Sequence, residues 1–232
     1  MSDDSHDPAP PTRPDRPSAG AVRSATIDTM TVPSRTAAAA LLYSLDPPAW
    51  HVRHARAVAE VAGFLALRIA ARGIPLDRRA VEAAALLHDV DKILPADDPA
   101  RVLPHGEGSA AWLVRHGHPE LARIVAAHPV SRLRDGETQR RWAAFASREE
   151  RVVAYADKRA RQRVVSMDER FATWERSHPG TWDAATRRTV RARAARLETE
   201  VCHAAGITPE DVRRLRWTGP ALRAARLAAA AA

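Results

Sequence analysis

Apolar side chains recur every three to four positions through most of this chain, which predicts a succession of amphipathic helices. The clearest example is PLDRRAVEAAALLHDV, where one helical face would carry Val81, Ala84, Ala85 and His88. Asp77 stands directly before this pattern and is a typical N-cap residue. No segment alternates as a half-buried strand would, and no repeat of fixed period is found. The pattern therefore predicts an all-α fold.

Start and stop signals divide the periodic stretches into helices. Gly73 ends the long apolar stretch that begins near Trp50, and Pro119 suits the first position of a later helix. Ser147 and Glu150 have the spacing of a capping box, directly before the run RVVAYADKR. Further helices are predicted over SMDERFATWERSHPG and TWDAATRRTVRARAARLETEVCHAAG, followed by a short one in TPEDVRRLRW.

Composition divides the chain into three parts. Residues 1–33 are rich in Pro, Asp and Ser and cannot bury much apolar surface, so we expect a disordered tail. Residues 34–176 carry the clearest helical periodicity and should form the main helical domain. Residues 177–232 are rich in Arg and Ala and should add C-terminal helices.

The composition also narrows the class of protein. The chain has 232 residues, of which 45% are hydrophobic, enough for one good core. Its single cysteine, Cys202, cannot form a disulfide within the chain. No stretch approaches the roughly 18 apolar residues of a membrane span, and the acidic start lacks the apolar segment of a signal peptide. We therefore expect a cytoplasmic protein with no membrane partner.

A net charge of +8 favours an anionic partner. A phosphorylated small molecule, such as a nucleotide, is preferred over nucleic acid, because no basic segment matches a nucleic-acid-binding motif. Among the 36 basic residues only Lys92 and Lys158 are lysines, and each directly follows an aspartate. A lysine offers a compact point charge, which suggests a specific role at these two positions.

Five segments bring an imidazole or a carboxylate to the edge of an apolar helix. They are HARAVAEVA, LLHDVDK, LPHGEGSA, IVAAHP and VVAYADKR, which carry His54, His88 with Asp89, His105, His128 and Asp157. Imidazole and carboxylate together suit a divalent transition metal. Asp157, which follows VVAYA, would be costly to bury unless it were paired or bound to a metal. His51, one helical turn before His54, is an alternative ligand or a supporting group.

In this order, the five segments resemble the HD-domain metal-dependent phosphohydrolase superfamily, over about Trp50 to Arg163. HGEGSAAWL, LLHD with its following Lys, and YADK are also similar to a bacterial branch that includes symmetrical diadenosine-tetraphosphate hydrolases. The resemblance implies that residues 34–176 form an HD-type metal-binding helical bundle. It also implies hydrolysis of a phosphoester or phosphoanhydride, with a nucleotide-like substrate.

The resemblance further implies a site with two divalent transition-metal ions, Fe or Mn, with Mg, Co, Ni and Zn as alternatives. Asp89 would bridge them; one ion would be completed by His54, His88 and Asp157, and the other by His105 and His128. A metal-activated hydroxide would attack phosphorus, with Asp89 and Lys92 as the catalytic residues. Substrate phosphates would be bound by Lys92, Lys158, Arg159 and Arg163, the two arginines lying four residues apart on the helix of Asp157. Asp91 could orient a ligand histidine.

Three alternatives stay open. A mononuclear nucleotidase would use only His54, His88, Asp89 and Asp157, although the two further histidines argue against it. A di-iron HD-domain oxygenase would use the same ligands on a substrate without phosphate; the lysines and the basic charge favour phosphate. A non-catalytic module could instead bind nucleotide or nucleic acid through the Arg-rich C-terminal helices.

Overall fold

The computed structural model describes residues 32–134, 136–212 and 218–231. Throughout these ranges the regular structure is helical, without strands, which confirms the predicted all-α fold. The ten α-helices found there are α1 Arg35–Tyr43, α2 Ala49–Ala71, α3 Arg78–Leu87, α4 Glu107–Arg115, α5 Pro119–Ala126, α6 Gly136–Phe145, α7 Arg148–Lys158, α8 Met167–Ser177, α9 Ala184–Ala205 and α10 Thr218–Ala230. Short 3₁₀ turns lie at Val90–Lys92, Pro99–Val102, Val130–Leu133 and Pro209–Asp211.

Several predicted helix ends are confirmed. Asp77 caps α3, because its Oδ1 accepts a hydrogen bond of 3.0 Å from the backbone N–H of Ala80. Ser147 and Glu150 form the predicted capping box of α7, and Pro119 is the first residue of α5. The predicted helix after Thr208 is a 3₁₀ turn in its described part, and residues 213–217 lie outside the described residues.

Helices α2, α3 and α7 pack on one another at the centre of the fold. Helices α1 and α5 cover α3, and α9 covers α2 and α7. Every residue of α3 from Ala80 to Leu87 is buried, so this helix is enclosed on all sides. Its alanines at 83, 84 and 85 let the neighbouring helices approach closely. The centre of the bundle is therefore formed by the segments that carry most of the candidate ligands.

The predicted domain boundaries stay predictions. Residues 1–31 of the predicted tail lie outside the described residues. A smaller apolar cluster spans the predicted boundary at 176, since Phe171 packs with Trp182 and Val190. Leu197 and Val201 of α9 belong to the main core. The C-terminal helices therefore pack against the main domain.

Helix α6 was not predicted from the sequence. None of its residues is buried, and its sequence, GETQRRWAAF, has no clear apolar stripe. Periodicity reveals only helices that bury one face, so a polar surface helix of this kind escapes it. No helix in the described part of the chain is both long and apolar enough to cross a membrane.

Candidate metal centre

The structure brings all six predicted ligands together where several helices of the bundle end. His54 lies in the second turn of α2, and His88 and Asp89 follow directly after α3. The remaining three come from before α4, after α5 and near the end of α7: His105, His128 and Asp157. Five of the six are buried, and His105 is the exposed member. Three groupings of these side chains, one of which also includes Asp91, have donor atoms close enough to hold a metal ion.

The four imidazoles form two pairs, with Asp89 between them. In the first histidine pair, the Nε2 atoms of His54 and His88 are 3.2 Å apart. In the second histidine pair, the Nε2 atoms of His105 and His128 are 3.1 Å apart. Asp89 Oδ2 lies 3.3 Å from His54 Nε2, while Oδ1 lies 3.2 Å from His128 Nε2. One carboxylate thus faces both pairs.

Asp157 belongs to the first histidine pair. Its Oδ1 lies 3.5 Å from His54 Nε2 and 3.9 Å from His88 Nε2. This arrangement matches the ligand set that the family resemblance implied for one of the two ions.

The ring orientations direct all four Nε2 atoms into the cluster. The Nδ1 atoms of His54, His88 and His128 lie 2.8, 2.9 and 2.5 Å from backbone carbonyl oxygens, which can only accept. His105 Nδ1 lies 2.9 Å from Asp91 Oδ2. Because Nδ1 carries the donated proton in each ring, Nε2 is left available as a metal ligand.

The end of α3 explains how adjacent His88 and Asp89 both face the cluster. Neighbouring residues on a helix point about 100° apart, but the helix ends at Leu87. Asp89 has φ −110° and ψ 16°, outside the helical region, and the 3₁₀ turn Val90–Lys92 follows. That turn carries the Lys92 ammonium back to donate to Asp89 Oδ2 at 2.7 Å.

The two carboxylates are held in the charged form. Burial alone would raise the pKa of Asp89, but His88, Lys92 and the other imidazoles outweigh it and hold that pKa well below its usual range. Burial is likewise outweighed at Asp157, where Arg170 and His54 keep the pKa well below its usual range. Two buried anions therefore require compensating positive charge.

The imidazoles respond to the same surroundings in different ways. Burial lowers the pKa of His88 to about 3 and also lowers that of His128. Burial would lower the pKa of His54 too, but hydrogen bonds to Asp157 and Asp89 outweigh it and raise that pKa to about 9. Without a metal ion, a proton on His54 therefore balances part of the negative charge of Asp89 and Asp157. A bound cation could take over this role.

The residues present fit a metal. Asp89 Oδ1 is buried and accepts no hydrogen bond, although three imidazole Nε2 atoms lie within 3.2–3.6 Å of it. A buried carboxylate oxygen needs a partner, and here it faces nitrogen lone pairs instead of donors. A divalent cation bound by the oxygen and these nitrogens together would satisfy it. The mixed nitrogen and oxygen donor set is that of a divalent transition metal.

Further residues hold the ligands in place. Asp91 accepts from the Gly106 N–H at 2.7 Å as well as from His105, so it orients that ring. His51 is buried and its Nε2 donates to the backbone oxygen of Asp89 at 3.1 Å. The two roles left open for His51 are therefore distinguished by geometry: it contacts the Asp89 backbone, and His54 lies among the ligands.

The predicted phosphate-binding residues are distributed differently from the expectation. Lys92 lies at the open side of the cluster, with its side chain 39% exposed. Lys158 is only 2% exposed, and its ammonium donates to the backbone oxygens of His128 and Ala154. This placement does not support direct contact between Lys158 and a substrate.

The two predicted arginines also point elsewhere. Arg159 is buried and donates to the Tyr155 hydroxyl and the backbone oxygens of Val165 and Pro209. Arg163 is paired with Glu169 on the surface. The prediction that both lie on the helix of Asp157 was wrong for Arg163, because α7 ends at Lys158 and the chain turns there. Arg159, at the C-cap of α7, thus makes contacts that favour a structural role.

A small cavity of about 200 Å³ opens beside the cluster and is lined by Trp50, His54, Asp89, Lys92, Arg161, Gln162 and Arg170. Sequence reasoning missed Arg161 and Arg170 as lining residues. Arg170 Nη2 lies 3.6 Å from Asp157 Oδ1, and its buried Nε has no hydrogen-bond partner. Nothing local marked Arg170, since α8 is a predominantly polar helix with many similar charges. We call this cavity and its lining the mouth of the site.

Comparison with known families agrees with this geometry. The family model described as HD domain matches residues 52–162, an interval that contains all six candidate ligands. Over this interval the chain is similar to the HD domain, which is found in metal-dependent phosphohydrolases and also in non-catalytic proteins. No curated protein and no solved structure matches the chain significantly. The resemblance to the diadenosine-tetraphosphate hydrolase branch stays a prediction.

Proposed function

We propose that this chain is a metal-dependent phosphohydrolase with a two-ion site, acting on a phosphoester or phosphoanhydride of a nucleotide-like substrate. The observation that carries the proposal is the position of Asp89 between two histidine pairs, with one buried oxygen that nothing in the described chain satisfies. Asp89 would be shared by both ions. The first histidine pair and Asp157 would complete one ion, and the second histidine pair would hold the other.

When bound, divalent ions lower the pKa of a water to about 7 and neutralise charge on phosphoryl oxygens. The chain's own residues bind and orient the reacting groups. Lys92 and Arg170 both line the mouth and would hold phosphate oxygens beside the ligand cluster. Arg161 adds a third cation at the mouth. Two of these cations, Lys92 and Arg170, also lie close to the ligating carboxylates, so phosphate would bind where the ligands converge.

The size of the mouth indicates how a substrate would be bound. Its volume of about 200 Å³ is below the roughly 300–1,000 Å³ of pockets that enclose a whole ligand. Only the phosphate end of a nucleotide would therefore be enclosed. Trp50, 41% exposed at the rim, offers an aromatic face against which a base could pack outside the cavity.

The test is phosphate release from nucleoside polyphosphates and dinucleoside polyphosphates by protein purified without chelator, with its metal content measured. We expect about two ions per chain, as Fe or Mn, and hydrolysis that chelation abolishes. Asp89→Asn should abolish hydrolysis while preserving the helical circular-dichroism spectrum, because the side chain keeps its volume. Asp97→Asn is the matched control, since Asp97 is exposed and is neither a candidate ligand nor a lining residue of the mouth.

Three results would contradict the proposal. The first is full activity of the metal-loaded Asp89→Asn protein. The second is iron content with oxygen-dependent turnover of a non-phosphorylated alcohol, which would favour the oxygenase alternative. The third is salt-dependent retention of nucleic acid with no turnover of any phosphate compound, which would favour a binding module.

A further inference from the structure

Lys158 is a buried cation that the proposed reaction does not use. Its side chain follows Asp157 at the end of α7 and is 2% exposed. The ammonium donates to His128 O at 2.8 Å and to Ala154 O at 2.9 Å. One of these acceptors belongs to its own helix, and the other belongs to a candidate metal ligand on a different segment.

Apart from this hydrogen bond, the segment around His128 packs against the segment that carries His105, the other member of the second histidine pair. His128 follows α5, and a Cβ atom added at Gly106 would lie 2.7 Å from Pro129 Cγ and 3.2 Å from Ala126 O. The chain after His105 therefore packs directly against the chain around His128. These contacts join the second histidine pair internally. Between the pairs, the rings of His88 and His128 meet edge to face, with centroids 4.7 Å apart, and this ring contact leaves the position of the His128 backbone to other groups.

We infer that Lys158 is a positioning residue that fixes the second histidine pair relative to the first, and so controls binding of the second metal ion. Its hydrogen bond to His128 O links that loop to α7, the helix that carries Asp157. Asp157 faces the first histidine pair, so the Lys158 side chain connects the helix that serves the first pair with the loop that carries the second pair. This inference rests on the proposed two-ion site.

A lysine suits this position for a physical reason. The carbonyl oxygens of His128 and Ala154 belong to separate segments, and both need a hydrogen-bond donor in the buried interior. A long apolar side chain with a donor at its tip can reach them there. An ammonium group offers three donors in a compact head. The nearby buried carboxylate of Asp157 offsets part of the cost of burying the charge. An arginine would offer a wider, planar fork of donors in place of this compact head.

The test compares metal binding by wild type, Lys158→Met and Arg159→Met, with metal content and the two dissociation constants measured by competition with a chromogenic chelator. Lys158→Met keeps the stem and removes the donor. The matched control Arg159→Met, one residue along, also removes a buried cation bonded to backbone oxygens. The oxygens bonded to Arg159 belong to Val165 and Pro209, which adjoin no candidate ligand.

In Lys158→Met we expect the weaker ion to bind about 10- to 100-fold less tightly, the usual effect of losing a group that supports a ligand. The tighter ion should keep its affinity, so that metal content falls from two towards one per chain. Arg159→Met should lower the melting temperature and leave both affinities unchanged.

Two outcomes would overturn the inference: unchanged binding of both ions in Lys158→Met, or an equal loss in Lys158→Met and Arg159→Met, which would indicate general destabilisation. A wild-type protein that binds no metal would instead contradict the proposed function itself. If Lys158→Met does not fold, Lys158→Gln, which keeps a donor on a shorter chain, should fold and show an intermediate loss of the second ion. Equal affinities in Lys158→Gln and wild type would also overturn the inference.

Discussion

Gly108→Ala is a one-methyl change that should disturb both the fold and the second histidine pair. Gly108 is buried in the first turn of α4, where the chain approaches two other segments closely. A Cβ atom there would lie 2.5 Å from Ala100 O and 2.9 Å from Asp91 Cβ. The nearer atom belongs to the backbone, so it cannot swing aside as the end of a flexible side chain would.

The magnitude follows from two opposing effects. Forcing an extra methyl into a packed site costs about 1–3 kcal/mol. Because the contact at 2.5 Å is with backbone, the cost should lie in the upper part of that range, at about 2–3 kcal/mol. Alanine also stabilises the helix by up to about 1 kcal/mol, because glycine is the poorer helix former. The free energy of unfolding should therefore fall by about 1–2 kcal/mol. For a protein of this size, the melting temperature should fall by about 2–8 °C.

A second effect should appear at the metal site. The added methyl would push Asp91, whose carboxylate holds the Gly106 N–H and the His105 ring. Losing that support should weaken binding of the ion at the second histidine pair by about 10- to 100-fold. Binding at the first histidine pair should not change.

The assay combines urea denaturation of the metal-free protein with chelator competition of the loaded protein. Gly136→Ala is the control, because the nearest atom to its added Cβ is the flexible end of Arg140, 3.4 Å away. That variant should be as stable as wild type or slightly more stable. A Gly108→Ala protein with wild-type stability and wild-type affinity for both ions would refute the close packing described for α4.

Two further outcomes are expected. Removing metal with a chelator should lower the melting temperature, because an ion present at 100 times its dissociation constant adds about 2.7 kcal/mol of stability. Thermal scans that do not respond to chelation and reloading would contradict the two-ion site. Glu149→Gln should destabilise the protein at pH 7: burial would raise the pKa of Glu149, but the Asp77 N–H, which donates at 2.7 Å, outweighs it and lowers that pKa. A carboxyl whose pKa is lowered by folding contributes stability that is fully present above its ordinary pKa of about 4.3 and is lost as the pH falls below it. The difference from wild type should therefore shrink as the pH is lowered below that ordinary pKa in urea titrations.

Much of the fold could be predicted because its signals are local. The N-cap at Asp77, the capping box of Ser147 and the proline that begins α5 each act through backbone groups within one helical turn. Helix α6 could not be predicted, since it buries no side chain and leaves no apolar pattern. The sequence does not distinguish the 3₁₀ turn after Thr208 from an α-helix, because both conformations begin with the same capping signals.

The candidate site divides in the same way. The sequence by itself determined which residues could be ligands, because a histidine or an aspartate at the edge of an apolar helix is unusual wherever that helix packs. Only the tertiary structure decided which cations reach the mouth. Lys158 and Arg159 directly follow Asp157, yet their side chains lie in the interior of the fold, whereas Arg170 reaches the site from another helix. The direction of a side chain beyond a helix end depends on how the chain turns and on what packs there, and neither is specified within the neighbouring residues.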